Sequence, residues 1–211
     1  MRGTVDSLLS QQDRIKWDDK YRAGAYAGRD HPTRLLAEWV PQANRGRALD
    51  VACGAGRNSV FLAVQGYLVD AVDISAAGLE RARRSAETRG VHVHWIEADL
   101  ETGAASALPT GPYDLIVMVR YVNPSLYPLL LERLADDGIF LCEEHLKSEE
   151  DVIGPANPAY RLSSNELRRS VTAVATRRDE VLYYREGRVT DPDGREAALA
   201  QLVLRRQLDR S

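Results

Sequence analysis

Gly54 and Gly56 sit in LDVACGAGRN, residues 49–58, where an apolar run ends. Glycine has no β-carbon, so a ligand can approach its backbone, and its φ angle can be positive. Alone, the stretch fits a plain tight turn equally well. Asp73 closes a second apolar run, LVDAVDI, where a carboxylate can accept from both hydroxyls of a ribose. Asp99, in EADLE, follows a third run, where an acid can accept from an exocyclic adenine amine. A single loop acid is usually just solvated. Three ligand-type features on three successive strand ends describe an adenosine-bearing ligand. A dinucleotide fingerprint would place a third glycine at position 59, where this chain has Ser59.

These residues need elements to hold them. Residues 11–22 read as a helix with Ile15, Trp17 and Tyr21 on one face, and HPTRLLAEWV (31–40) reads as a second, with Pro32 in its first turn. From position 48 the rhythm becomes strand then helix. ALDVA is followed by a helix ending at Gly66, LVDAVDI by a helix ending at Gly90, and VHVHWIEA (91–98) alternates like a third strand. YDLIVMV (113–119) is a continuous apolar run, as a strand covered on both faces requires. A helix over 124–138 and a strand GIFLCEEH (138–145) complete this series. Ser163 and Glu166 stand at capping-box spacing before a short helix. Two strand candidates, 179–186 and 196–206, flank the turn Asp191-Pro192-Asp193-Gly194. The expected architecture is α/β: a Rossmann-like, mostly parallel sheet with helices on both faces and a carboxyl-terminal antiparallel hairpin.

The bulk composition suits one globular domain over residues 1–211. It has 44% hydrophobic and 28% charged residues and a net charge of −3. That balance argues against a nucleic-acid partner held by many lysine and arginine contacts. No apolar stretch approaches the roughly 20 residues that span a bilayer, and MRGTVDSLLSQQDR has no apolar core of signal-peptide length. Cys53 and Cys142 belong to no CxxC pair, which fits a reducing cytoplasm and no structural zinc. His92 and His94 share a face of the third strand candidate, but no third ligand is evident, so no metal is expected.

LDVACGAGRN, with AVDIS, EADLE and YDLIVMV, resembles the class I S-adenosylmethionine-dependent methyltransferases. The usual signature has an acid and three alternating glycines, whereas this chain has Asp50, then Ala52, Gly54 and Gly56. The WDDKY segment and the ending YYREGRVTDPDGREAALAQLVLRR look most like the tellurite-resistance and thiopurine methyltransferase branch. The resemblance covers about residues 11–206 and implies a seven-stranded sheet. It also implies lid helices over about 11–40, a cofactor core over about 47–145, and a substrate-side loop, helix and hairpin over about 146–206.

The resemblance implies S-adenosyl-L-methionine as cofactor. Gly54 and Gly56 would approach its methionine part, with Cys53 beside them and Asp50 orienting the loop or, through water, the amine. Asp73, with Ile74, would hold the ribose, and Asp99 with Leu100 would frame the adenine. Trp17 and Tyr21 would fold over the cofactor, with ordinary packing an equal alternative. Arg120 would lie beside the transferable methyl; on the substrate side the chain itself offers Tyr121 and His145, with a structural or solvent-exposed His145 an equal alternative. Glu143 and Glu144 cannot both enter one pocket on a regular strand.

Methyl transfer from a sulfonium is an in-line displacement, so collinear positioning and exclusion of water supply much of the rate. A hydroxyl or amine acceptor needs a base, whereas a thiolate or chalcogen anion does not. The expected activity is methylation of a small-molecule acceptor, a thiol or chalcogen oxyanion fitting the branch. The alternatives are an enzyme methylating RNA or protein, a nicotinamide-dependent oxidoreductase, and a non-catalytic S-adenosylmethionine-binding protein.

Overall fold

A computed structural model describes residues 2–101 and 104–208. Its strands are β1 (Arg47–Val51), β2 (Leu68–Asp73), β3 (His94–Glu97), β4 (Tyr113–Val119), β5 (Leu134–His145), β6 (Asp179–Thr190) and β7 (Glu196–Arg206). They form one seven-stranded sheet in the order β3-β2-β1-β4-β5-β7-β6. β2 runs parallel to β3 and β4 parallel to β5, while β7 is antiparallel to both β5 and β6. This is the mostly parallel sheet with an antiparallel terminal hairpin that the strand–helix rhythm called for.

The chain divides into two compact units, Met1–Pro32 with Ala48–Thr110, and Thr33–Arg47 with Gly111–Ser211. The first carries α1 (Arg2–Arg22), α3 (Arg57–Val64), α4 (Ala76–Thr88) and α5 (Ala104–Ala107), and the second α2 (Arg34–Trp39), α6 (Tyr127–Glu132) and α7 (Glu166–Val174). In the first unit Leu49, Val51, Leu62, Val72 and Leu79 are fully buried. Each such side chain contributes about 1.5–3 kcal/mol relative to exposure. In the second, Ile116, Val117 and Met118 are consecutive and fully buried, so β4 is covered on both faces.

Several expected boundaries shift; β5 starts four residues early, at Leu134, and β6 runs on to Thr190. α1 begins at Arg2, nine residues before its predicted start. Pro32 lies outside α2, where Thr33 takes the N-cap position without capping; its hydroxyl donates to Glu143 Oε1 at 2.9 Å. The helix expected over 124–138 is a 3₁₀ turn, Pro124–Leu126, followed by α6, which stops at Glu132. Asp136, Asp137 and Gly138 disfavour helix, and Asp137 takes a left-handed backbone (φ 61°) inside β5. β3 starts at His94, so His92 lies outside the strand and the two histidines do not form the expected strand-face pair.

Candidate active site

In the first unit the loop after β1 turns through three left-handed residues, Ala52 (φ 55°), Gly54 (φ 57°) and Gly56 (φ 76°). The alternating-glycine signature is thus a backbone requirement, and Ala52 meets it with a strained alanine. The two glycines differ in what their missing β-carbon spares. At Gly54 a Cβ would run into the Tyr21 hydroxyl. At Gly56 it would lie 2.6 Å from Ala82 Cβ and 2.8 Å from a Trp95 ring carbon. Gly56 is therefore required by packing onto α4 and β3, and Gly54 faces a movable side chain.

Asp73 fixes the loop. Its Oδ2 accepts from the Gly54 N–H at 2.7 Å and its Oδ1 from the Ser75 N–H at 2.8 Å. Burial pushes this carboxyl above its ordinary range, opposed by those two N–H groups. The Ile74 N–H adds a third backbone bond, and a carboxylate offers about four acceptor positions in all. Asp50 is buried and accepts from Ser59 Oγ at 2.5 Å. Burial pushes its pKa up to about 7, with the Ser59 hydroxyl opposing. Ser59, which the sequence marks only as a missing glycine, thus ties the start of α3 to the end of β1. Asp99 Oδ1 accepts from the Glu101 N–H at 2.8 Å, an Asx turn that holds Asp99 beside the buried Leu100. Burial, followed by the charges of Asp73 and Asp50, pushes the Cys53 thiol well up.

α1 is anchored on this unit by residues that sequence reading missed. Asp18 Oδ1 accepts from Ser75 Oγ at 2.6 Å and from the Ala77 N–H at 3.0 Å, at the N-terminus of α4. Arg81 donates to the Ala25 carbonyl at 2.6 Å. Tyr21 is buried, with its ring against Gly78 and its hydroxyl toward Gly54. Burial and then the Asp73 charge keep that hydroxyl protonated. Trp17 is half-buried, its ring 6.2 Å from that of Tyr21. The usable signals were Ser75 at a helix start and an acid in WDDKY.

The second unit contains Arg120, Tyr121 and His145. Arg120 has a left-handed backbone (φ 60°), and its guanidinium grips Asp191 of the hairpin turn at 2.8 and 2.5 Å. Its Nε lies 3.4 Å from Glu143 Oε1. The expectation of a group beside the methyl meets an arginine already committed to a buried clamp. Glu143 is fully buried and also accepts from Thr33 and, at 2.7 Å, from Gln201 Nε2. Glu144 shares its side of β5 with Cys142, whose Sγ lies 3.8 Å from Glu144 Oε1. Burial, then the Glu143 charge, pushes the Glu144 carboxyl well up, opposed in part by the Tyr121 N–H. The two glutamates thus bond to separate partners, as strand alternation requires. His145 is buried, its carbonyl accepting from the Leu162 N–H at 2.7 Å and its Nδ1 close to Gly154. The segment after β5 therefore covers it.

Among the described residues no group of three His, Cys, Asp or Glu could hold a metal, and His94 Nδ1 is 2.8 Å from Asp70. No described helix is long and apolar enough to cross a membrane.

The sheet order β3-β2-β1-β4-β5-β7-β6, with β7 antiparallel to its neighbours, defines a Rossmann-like α/β fold with a glycine loop after β1 and an acid ending β2. Residues 48–136 match the methyltransferase domain family. The release factor glutamine methyltransferase of Chlorobaculum tepidum is 35% identical over 99 residues, covering 45% of this chain and 32% of that protein. TehB from Haemophilus influenzae superposes with a TM-score of 0.66 at 23% identity, over 82% of this chain and 61% of that one. Magnesium protoporphyrin IX methyltransferase from Synechocystis, solved with bound S-adenosylmethionine, gives 0.58 at 18% identity, over 82% and 76%. The chain spans about a third to a half of the curated relatives it matches. Residues 48–136 are thus similar to methyltransferase domains, and the chain shares its fold with these methyltransferase structures.

Proposed function

We propose that this chain is an S-adenosylmethionine-dependent methyltransferase acting on a small-molecule acceptor. The observation that carries this is the Asp73 carboxylate at the end of β2, which accepts from the Gly54 N–H and so stands against the left-handed glycine loop. In this reading Asp73 and Ile74 hold the ribose, Asp99 and Leu100 frame the adenine, and Gly54 and Cys53 border the methionine part. Asp50 acts through Ser59 on the loop. Tyr21, with Trp17, covers the cofactor from α1, and its protonated hydroxyl moves aside from Gly54 or donates to the ligand.

The cofactor supplies an electrophilic methyl, and the protein contributes alignment and exclusion of water. Arg120 is assigned a positioning role, holding the hairpin turn through Asp191, and not the contact first expected. Tyr121 contributes through its backbone to Glu144. His145 stays a candidate substrate contact, reached only where residues 147–162 part from it. A thiol or chalcogen-oxyanion acceptor and a cytoplasmic location belong to this proposal. Both rest on the sequence resemblance and on two cysteines outside any disulfide, Cys53 and Cys142.

A macromolecular acceptor is the second reading, favoured by the relative named for a release factor. An oxidoreductase is disfavoured because Ser59 is bonded to Asp50 where a dinucleotide loop needs glycine. The test is S-adenosylhomocysteine release across a panel of thiols, selenite, tellurite, phenols, amines, a release factor and bulk RNA. Turnover with a small molecule alone supports the proposal, and turnover only with RNA or protein overturns it.

A further inference from the structure

The second unit holds a cleft of about 420 Å³ on the face of β6 and β7 beside α2. Arg34, Arg185, Arg188 and Glu38 are its charged lining, Leu35, Tyr183 and Val189 its less polar wall, and Gln201 part of its base. Its volume is in the range of a small organic ligand.

Strand register explains why a polar base and an arginine meet there. Arg185 on β6 lies opposite Gln201 on β7, and Gln201 lies opposite Glu143 on β5. Directly opposed residues share a face, so these three form a row from the buried Glu143 outward to the exposed Arg185. Gln201 is only 5% exposed, and its amide donates to Glu143 Oε2 at 2.7 Å, which orients the base of the cleft.

The three guanidiniums are not equivalent. Arg188 is tethered to Glu196 at 2.7 Å and to Glu150 at 3.2 Å. Arg34 lies 3.7 Å from Glu38 one helical turn away, a loose surface pair that contributes little. Arg185 has no acidic partner among the described residues. Beside it, the Tyr183 ring is braced by Trp39, with centroids 6.0 Å apart. A guanidinium without a counter-ion next to a fixed aromatic wall suits a planar anion.

We propose that this cleft binds a small aromatic carboxylate, its anionic group held by Arg185 with help from Arg34 and its ring laid along Tyr183 and Val189. Glu38 sets the polarity: it repels a dianion and leaves room for one negative charge. The binding does not depend on the methyltransferase reading; only a role for the ligand as methyl acceptor would.

The test is calorimetric titration with benzoate, its neutral counterpart benzyl alcohol, and inorganic phosphate, against wild type and Arg185→Gln. S-adenosylhomocysteine is titrated in parallel. Benzoate is expected to bind, with benzyl alcohol and Arg185→Gln each weaker by about tenfold, the loss of one charge-assisted contact. Arg185→Lys should recover part of the loss, and S-adenosylhomocysteine affinity should be unchanged in Arg185→Gln. Absence of benzoate binding, equal affinity for benzyl alcohol, phosphate binding as tight as benzoate, or an unaffected Arg185→Gln overturns the proposal. Failure of wild type to bind S-adenosylhomocysteine would instead count against the proposed function, leaving the benzoate result to stand by itself.

Discussion

Asp18 on α1 accepts a 2.6 Å hydrogen bond from the hydroxyl of Ser75, the N-cap residue of α4. The same carboxylate oxygen takes the Ala77 N–H, so one acid both helps cap α4 and anchors α1. Burial raises the Asp18 pKa, but the Ser75 hydroxyl and the Ala77 N–H outweigh it and the net shift is downward. A carboxyl lowered on folding contributes stability above its unfolded pKa and loses it as pH falls through the folded value. The α1 contact should therefore hold at neutral pH and weaken below about pH 4. Asp18→Ala should speed amide exchange across residues 11–22 and cost about 1–3 kcal/mol. Hydrogen-exchange mass spectrometry at pH 7 checks this; unchanged protection of that segment would remove Asp18 as the anchor.

Asp50 behaves in the opposite sense. Its pKa rises to about 7 on folding because burial penalises the charge. A carboxyl raised on folding favours the folded state fully below its unfolded pKa. That contribution declines as pH rises from about 4 to about 7. Asp50→Asn keeps an oxygen for the Ser59 hydroxyl and removes the titration. Urea denaturation of the variant should show a pH dependence shallower by up to about 1.4 kcal/mol per pH unit across that window. An identical slope in wild type and variant would contradict the assignment.

Ala52 holds a φ of 55° that costs an alanine about 1–2 kcal/mol. Ala52→Gly removes that strain but adds unfolded-state entropy. We expect a net gain of about 0.5–1 kcal/mol, measurable as a thermal midpoint raised by a few degrees. Ala52→Val should be markedly destabilised, since a β-branched residue fits that region worse. A midpoint lowered by Ala52→Gly would show that the methyl packs usefully.

Asp73→Ala should weaken S-adenosylhomocysteine binding by about tenfold or more, since it removes a charged acceptor and frees the Gly54 N–H. Calorimetry on the folded variant decides it. Affinity within twofold of wild type would exclude Asp73 as a ligand.

Arg120 and Asp191 form a clamp with side chains 11% and 4% exposed. Asp191→Ala leaves the buried guanidinium only Glu143, 3.4 Å from its Nε, and should cost about 3 kcal/mol in chemical denaturation. Replacing all three charges, as Arg120→Met with Asp191→Leu and Glu143→Gln, should recover much of that loss, because a buried ionic cluster contributes less than its breaking costs. A triple variant no better than Asp191→Ala would show that the charges themselves are needed.

Chemistry that depends on local backbone was legible in the residues. Glycine spacing in LDVACGAGRN announced left-handed turns, apolar runs announced buried strands, and Asp191-Pro192-Asp193-Gly194 announced a hairpin turn. Each follows from sterics or burial periods acting over a few neighbouring positions. What distant side chains do to one another was not legible. Gly56 was legible as a bare backbone, but that Ala82 and Trp95 occupy the space of its missing β-carbon was not. Arg120 looked like a site residue, and its guanidinium is committed to an acid 71 positions away. Ser59 looked like an absent glycine and proved the partner of a buried carboxyl. The sequence by itself determined the strand–helix order, the turn sites and the acids at the strand ends, because short-range geometry dictates them. The partners of those groups, Ser59 for Asp50, Asp191 for Arg120 and Ser75 for Asp18, were set by the tertiary structure alone, because hydrogen bonds form between residues that the fold, and not the chain, makes neighbours.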